Sequence, residues 1–192
     1  MKILLFLNKG VELIEMSAFV DVFGWNRSFN HSDTQIVTCG FREEIVTTFD
    51  VKLKVDLLID DVILEEYDAL AIPGGFGNYG FYEDAYNEKF LDLVRAFNAA
   101  GKYIATVCVA SLPLGKSGIL VGKRATTYHL MEGRRQRQLE AFGAIIDKDA
   151  IVTDGNIITS WCPSTAAGVA FKLLELLTSK EEADEIRTIM GY

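Results

Sequence analysis

The stretch Tyr103-Ile104-Ala105-Thr106-Val107-Cys108-Val109-Ala110-Ser111-Leu112-Pro113 decides the fold. Its first five residues are apolar or β-branched and do not alternate with charged ones, the pattern of a strand buried on both faces of a parallel sheet. Pro113 suits the first turn of a following helix, where no N–H partner is needed, and Gly118 marks where that helix ends. Cys108 therefore falls on a sharp strand-to-helix turn. Such a turn lifts a side chain out at the top of the sheet, and the helix N-terminus beneath it favours negative charge. Both effects favour the thiolate, the reactive form of cysteine. The competing reading is a packed cysteine, since free cysteines are among the most buried residues.

Working outward, Ala69-Leu70-Ala71-Ile72 is a second buried strand, stopped by Pro73-Gly74-Gly75. Between these strands, residues 76–86 read as a loop and 88–100 as a helix closed by Gly101. Toward the N-terminus, residues 2–7 form an apolar first strand, 14–25 a helix and 34–39 a β-branched strand. The alternation over 51–55 fits a half-exposed strand or hairpin. Toward the C-terminus, short strands at 124–127, 151–153 and 157–160 precede closing helices at 165–177 and 180–190. Asp154-Gly155 is a hairpin turn signal. Strands that alternate with helices mean βαβ units, a mainly parallel sheet and helices on both faces. One α/β domain over residues 1–192 is expected, with any site at the carboxyl ends of the strands.

Composition narrows the function classes. Of 192 residues, 49% are hydrophobic and 24% charged, enough for a core, and the net charge is −8. An acidic chain is a poor counterion for nucleic acid. Its one basic cluster, Arg134, Arg135 and Arg137, reads as a solvated face of a helix over 131–142. No apolar run approaches the roughly 20 residues that cross a bilayer, so no membrane partner is expected. Three cysteines, an odd number at no metal-ligand spacing, suggest a reducing compartment, the cytoplasm, with no disulfide, metal or cofactor.

Several residues are candidates for chemistry. Glycines at 74 and 75 let backbone N–H groups approach a ligand, and Gly75 with Val109 would make an oxyanion site beside Cys108. Gly75-Phe76-Gly77-Asn78-Tyr79-Gly80 matches G-x-G-x-x-G, but it follows a late strand and opens onto an aromatic loop, so it is not a dinucleotide fingerprint. Glu15 lies just past the first strand. Burial near a thiolate would raise its pKa and make it a neutral hydrogen-bond donor. His129 is the one histidine placed to pair with Cys108. Cys39 reads as core. Cys162 also follows a strand. Cys162 could serve as a resolving cysteine that forms a disulfide with oxidised Cys108, but one strand standing between them would separate the two by roughly 10 Å at strand spacings of about 4.8 Å, which favours Cys162 as pocket wall.

These segments, in this order, resemble the ThiJ/PfpI superfamily, also called the DJ-one superfamily. The resemblance rests on Gly10-Val11-Glu12-Leu13-Ile14-Glu15 with Val20-Asp21-Val22-Phe23, on Tyr67 to Gly75, on Ile104 to Cys108, on Gly122 to Thr127 and on Asp154 to Ser160. It implies a flavodoxin-like, glutamine amidotransferase-like three-layer sandwich and a reactive cysteine at the elbow. It also implies a glutamate contacting that cysteine, here Glu15, and anion-holding amides at Gly75 and Val109. A homodimer is implied as well, and the aromatics Phe76, Tyr79, Phe81 and Tyr82 support one. Family peptidases carry histidine directly after the cysteine; Val109 stands there, which disfavours proteolysis. Where another branch places a histidine near the cysteine, this chain has Tyr128, with His129 one residue later. The expected function is a small cysteine enzyme acting on a carbonyl or acyl compound, glyoxalase- or hydrolase-like. The alternatives are a redox or stress-response protein in which Cys108 is oxidised, and a non-catalytic small-molecule binder.

Overall fold

The computed structural model describes all of residues 1–192. The chain runs β1 (Lys2–Phe6), α1 (Leu13–Phe29), β2 (Gln35–Gly40), β3 (Glu44–Val46), β4 (Lys52–Lys54), β5 (Leu57–Leu58), β6 (Ala69–Ile72), α2 (Phe81–Ala85), α3 (Glu88–Ala99), β7 (Tyr103–Thr106), α4 (Ser111–Ser117), β8 (Arg124–Ala125), α5 (Arg134–Ala141), β9 (Ile145–Ile146), β10 (Ile151–Asp154), β11 (Ile157–Ser160), α6 (Ala166–Leu177) and α7 (Lys180–Ile189). Seven strands form one sheet in the order β10-β11-β7-β6-β1-β2-β5. All neighbours are parallel except the β10–β11 hairpin. One helical layer joins α1, α6 and α7; the other joins α3, α4 and α5. This is the expected three-layer sandwich.

The local reasons are plain. Residues 3–6 of β1 and all of β6 are fully buried, as their unbroken apolar runs require. Helix α3 opens on Asn87, whose side chain accepts from the Lys89 N–H at 3.0 Å, and it buries Phe90, Leu91, Val94 and Phe97 on one stripe. The expected hairpin at 51–55 is β4 paired antiparallel with β3. The reading of residues 76–86 as loop is corrected: they hold a 3-10 turn over Gly77–Tyr79 and the short helix α2. Five residues are too few to display a helical period. The aromatics there also separate, since Phe81 is fully buried core and Phe76 is exposed.

Three segments meet at the carboxyl edge and lock one another. The Gly10 N–H donates to Val46 O and the Thr48 Oγ1 hydroxyl to Gly10 O, which ties the loop after β1 to the β3–β4 hairpin. The Glu12 N–H donates to Gly74 O and the Phe76 N–H to Gly10 O, which ties the same loop to the turn after β6.

Candidate active site at the carboxyl end of β7

Cys108 begins a 3-10 turn over Cys108–Ala110 and has φ of 58°, a left-handed conformation uncommon for a residue with a side chain. Such strain persists only where neighbours over-determine it. Here Thr127, itself buried, donates its hydroxyl to Cys108 O at 2.8 Å, and the Val109 N–H points at the sulfur. Cys108 is 7% exposed, so it is almost closed off from solvent.

Glu15 stands in the first turn of α1, and its carboxyl faces the Cys108 side chain within hydrogen-bond reach. Its Oε2 accepts from the Gly74 N–H at 2.5 Å. Because β6 and β7 are neighbours, the turn after β6 lies against the elbow. A Cβ on Gly74 would stand 2.8 Å from Glu15 Oε2 and 2.9 Å from Val107 O; one on Gly75 would stand 2.1 Å from Gly10 O. Both positions therefore require glycine. The Gly75 N–H takes part in neither bond that pins the turn.

The electrostatics follow from burial. Glu15 is 1% exposed, and loss of water raises its pKa from the usual carboxylate range to about 8, against the pull of the Gly74 and Cys108 hydrogen bonds. Burial and the neighbouring Glu15 push the Cys108 thiol up as well, while the Val109 N–H pulls it down. The expectation of an acidic Cys108 is thus corrected. The helix after it starts only at Ser111, and burial outweighs its dipole. With its pKa at about 8, the Glu15 carboxyl keeps its proton near neutral pH.

The other candidates divide. His129 makes no hydrogen bond to Cys108. Its Nδ1 lies 3.6 Å from Cys162 Sγ, and its ring packs on Trp161 at 4.1 Å between centroids. Thr127, two residues earlier, is the side chain of this segment that meets the elbow. Cys162 is half-buried; burial raises its thiol pKa, which the His129 backbone N–H counters. It stands closer to the chemistry than expected, because β11 pairs directly with β7 and no strand intervenes. Cys39 is fully buried core, its thiol pushed up to about 12 by burial.

Sequence reasoning missed Tyr82. Its buried hydroxyl has no hydrogen-bond partner, its titration senses Cys108, and the Arg135 guanidinium lies 5.0 Å over its ring. Arg135 is therefore not part of a merely solvated face. The indole N–H of Trp161, next to Cys162, is also buried without a partner. Neither residue carries a motif, and only the aromatic density of 76–86 hinted at the first. Two surface depressions, one beside Lys172 and Arg187 and one beside Lys54 and Asp61, are lined by neither Cys108 nor Glu15.

Known proteins resemble this chain over most of its length. Drosophila melanogaster protein dj-1beta is 30% identical over 187 residues, covering 95% of this chain and 92% of that one. Its crystal structure superposes with a TM-score of 0.84 at 28% identity, over 98% and 96% of the two chains. The deglycase PfpI of Pyrococcus furiosus is 32% identical over 67% of this chain and 74% of its own. The isonitrile hydratase of Pseudomonas putida is 35% identical over 65% of this chain, a match spanning 52% of that enzyme. No helix is long and apolar enough to cross a membrane. The model of the DJ-1/PfpI family matches residues 1–176, and the chain belongs to that family.

Proposed function

We propose that the protein is a cysteine-dependent enzyme acting on a small carbonyl or acyl compound, in the manner of a glyoxalase or hydrolase. The observation that carries this reading is the Glu15 carboxyl held against the Cys108 thiol at an elbow whose Val109 N–H faces the sulfur. A nucleophile, a base in hydrogen-bond contact with it and an N–H donor beside it are the three parts such chemistry needs.

In this mechanism the Glu15 carboxylate, formed as pH rises toward 8, takes the Cys108 proton as the sulfur attacks the electrophilic carbon. The C=O π pair moves to oxygen, and the oxyanion is held by the Val109 and Gly75 N–H groups. Neutral Glu15 then returns the proton, to the oxyanion of an aldehyde adduct or to the leaving group of an acyl compound. In the acyl case water cleaves the resulting thioester. His129 is not assigned to this step, since it faces Cys162. The relatives named deglycase and isonitrile hydratase support an electrophilic carbon as the target. The proposal extends to a single domain over 1–192, working as a homodimer in the cytoplasm.

The test is a panel of small α-oxoaldehydes, amides and isonitriles assayed with wild type, Cys108→Ser and Glu15→Gln. Turnover of at least one class that vanishes in Cys108→Ser is expected. Turnover unaffected by Cys108→Ser, or none across the panel, refutes the reading.

A further inference from the structure

Cys162 has no part in the mechanism above, yet the fold brings it to the nucleophile. Strand β11 is hydrogen-bonded to β7 in the register Ile157 with Ile104 and Ile158 with Ala105. Cys108 and Cys162 each lie two residues beyond their strand, past Thr106 and Ser160. The two cysteines thus leave the sheet from strands that are direct neighbours, and neighbouring strands lie about 4.8 Å apart, a spacing that a disulfide can bridge. A single segment braces both residues: Thr127 bonds the Cys108 carbonyl at 2.8 Å, and the His129 ring reaches Cys162 Sγ at 3.6 Å. The Cys162 thiol also lies close enough to raise the Cys108 pKa. Cys39 is excluded from such pairing, because β6 and β1 lie between β2 and β7.

We infer that Cys162 resolves oxidised Cys108 as an intramolecular disulfide, giving the site a second activity: reduction of hydroperoxides at the expense of a small thiol. The Cys108 thiolate attacks the terminal peroxide oxygen. The O–O bond breaks, the alkoxide takes a proton and leaves as alcohol, and Cys108 becomes a sulfenic acid. Cys162, its proton passed to His129 Nδ1, attacks the Cys108 sulfur. The S–S bond forms, and hydroxide leaves with that proton as water. Two equivalents of external thiol then reduce the disulfide and are themselves oxidised to one disulfide. The balance is one hydroperoxide and two thiols giving one alcohol, one water and one disulfide. A cysteine without such a neighbour proceeds instead to sulfinic acid.

This inference is independent of the carbonyl chemistry and stands or falls separately from it. The experiment treats the whole protein with two to three equivalents of hydrogen peroxide, followed by intact mass and non-reducing peptide mapping. Wild type is expected to lose two hydrogens, yield a linked Cys108–Cys162 peptide and recover its mass with dithiothreitol. Cys162→Ser is expected to gain two oxygens on Cys108, irreversibly. With excess peroxide and dithiothreitol, wild type should consume peroxide through many cycles, and Cys162→Ser at a rate lower by about tenfold or more. Wild type that ends as Cys108 sulfinic acid with Cys162 still alkylatable overturns the inference, as does a Cys162→Ser variant that cycles as fast as wild type.

Discussion

Glu15 and Cys108 compete for protons in a space from which water is almost excluded. Burial raises both pKa values, the Glu15 charge raises that of Cys108 further and the Cys108 hydrogen bond pulls Glu15 back only in part, so the pair holds its protons at neutral pH and releases the first near 8. Replacing Glu15 by Gln therefore has two opposite effects. Without the like charge the thiol ionises more readily, so the midpoint of Cys108 alkylation by iodoacetamide should move to lower pH. Without the base no proton is shuttled, so kcat/KM should fall by about 10²–10⁴. Wild-type activity should rise with pH through about 8, the ionisation of the carboxyl that acts as base. Alkylation and turnover moving in the same direction in Glu15→Gln would show that the carboxyl only shapes the site.

At the scale of elements, the turn after β6 and the elbow after β7 are one device. Gly75→Ala would drive a methyl group into Gly10 O and pry apart the loop that carries Glu15. A loss of roughly 2–4 kcal/mol in urea unfolding is expected, with Cys108 losing its dependence on Glu15; an unchanged midpoint would mean the turn adapts. The strands that build this edge were legible because β1, β6 and β7 are buried on both faces, and the sequence must be continuously apolar there. Glu15, Gly75, Val109 and Cys108 were legible because each is fixed by a strand end. Strand order is different in kind. Nothing along the chain states that β11 is the direct neighbour of β7, since hydrogen-bond partners are chosen by tertiary packing. Cys162 was therefore placed a strand too far away. His129 escaped for a similar reason, because a shift of one residue decides which thiol a side chain on an extended segment meets.

At the scale of the molecule, exposed apolar residues bear on assembly. Ile14, beside Glu15, is 62% exposed, and Phe49 is 66% exposed at the tip of the β3–β4 hairpin, where it packs on exposed Phe76 at 6.1 Å. Light scattering at micromolar concentration should give twice the 21.3 kDa chain mass, and a monomer would refute the proposed dimer. Stability carries a second molecular signature, set by Glu15. In the unfolded chain this carboxyl ionises near 4.5, whereas in the fold it does so near 8. The folded state thus holds a proton that the unfolded state has released. The stability tied to that proton is fully present below about 4.5 and is lost as pH rises through 8, at about 1.4 kcal/mol per unit of displacement, or roughly 3–5 kcal/mol in all. Ionisation of the cysteines adds a loss above about 8.5, but it does so in any variant that keeps them. Glu15→Gln mimics the neutral acid: its amide oxygen accepts from Gly74, its NH₂ faces the sulfur, and it does not titrate. Urea unfolding from pH 5 to 8.5 should find wild type losing stability steadily against Glu15→Gln, with the gap widest at the alkaline end. Two parallel curves would mean that Glu15 is already ionised at pH 5, and the proton-shuttling role assigned to it would go with that result.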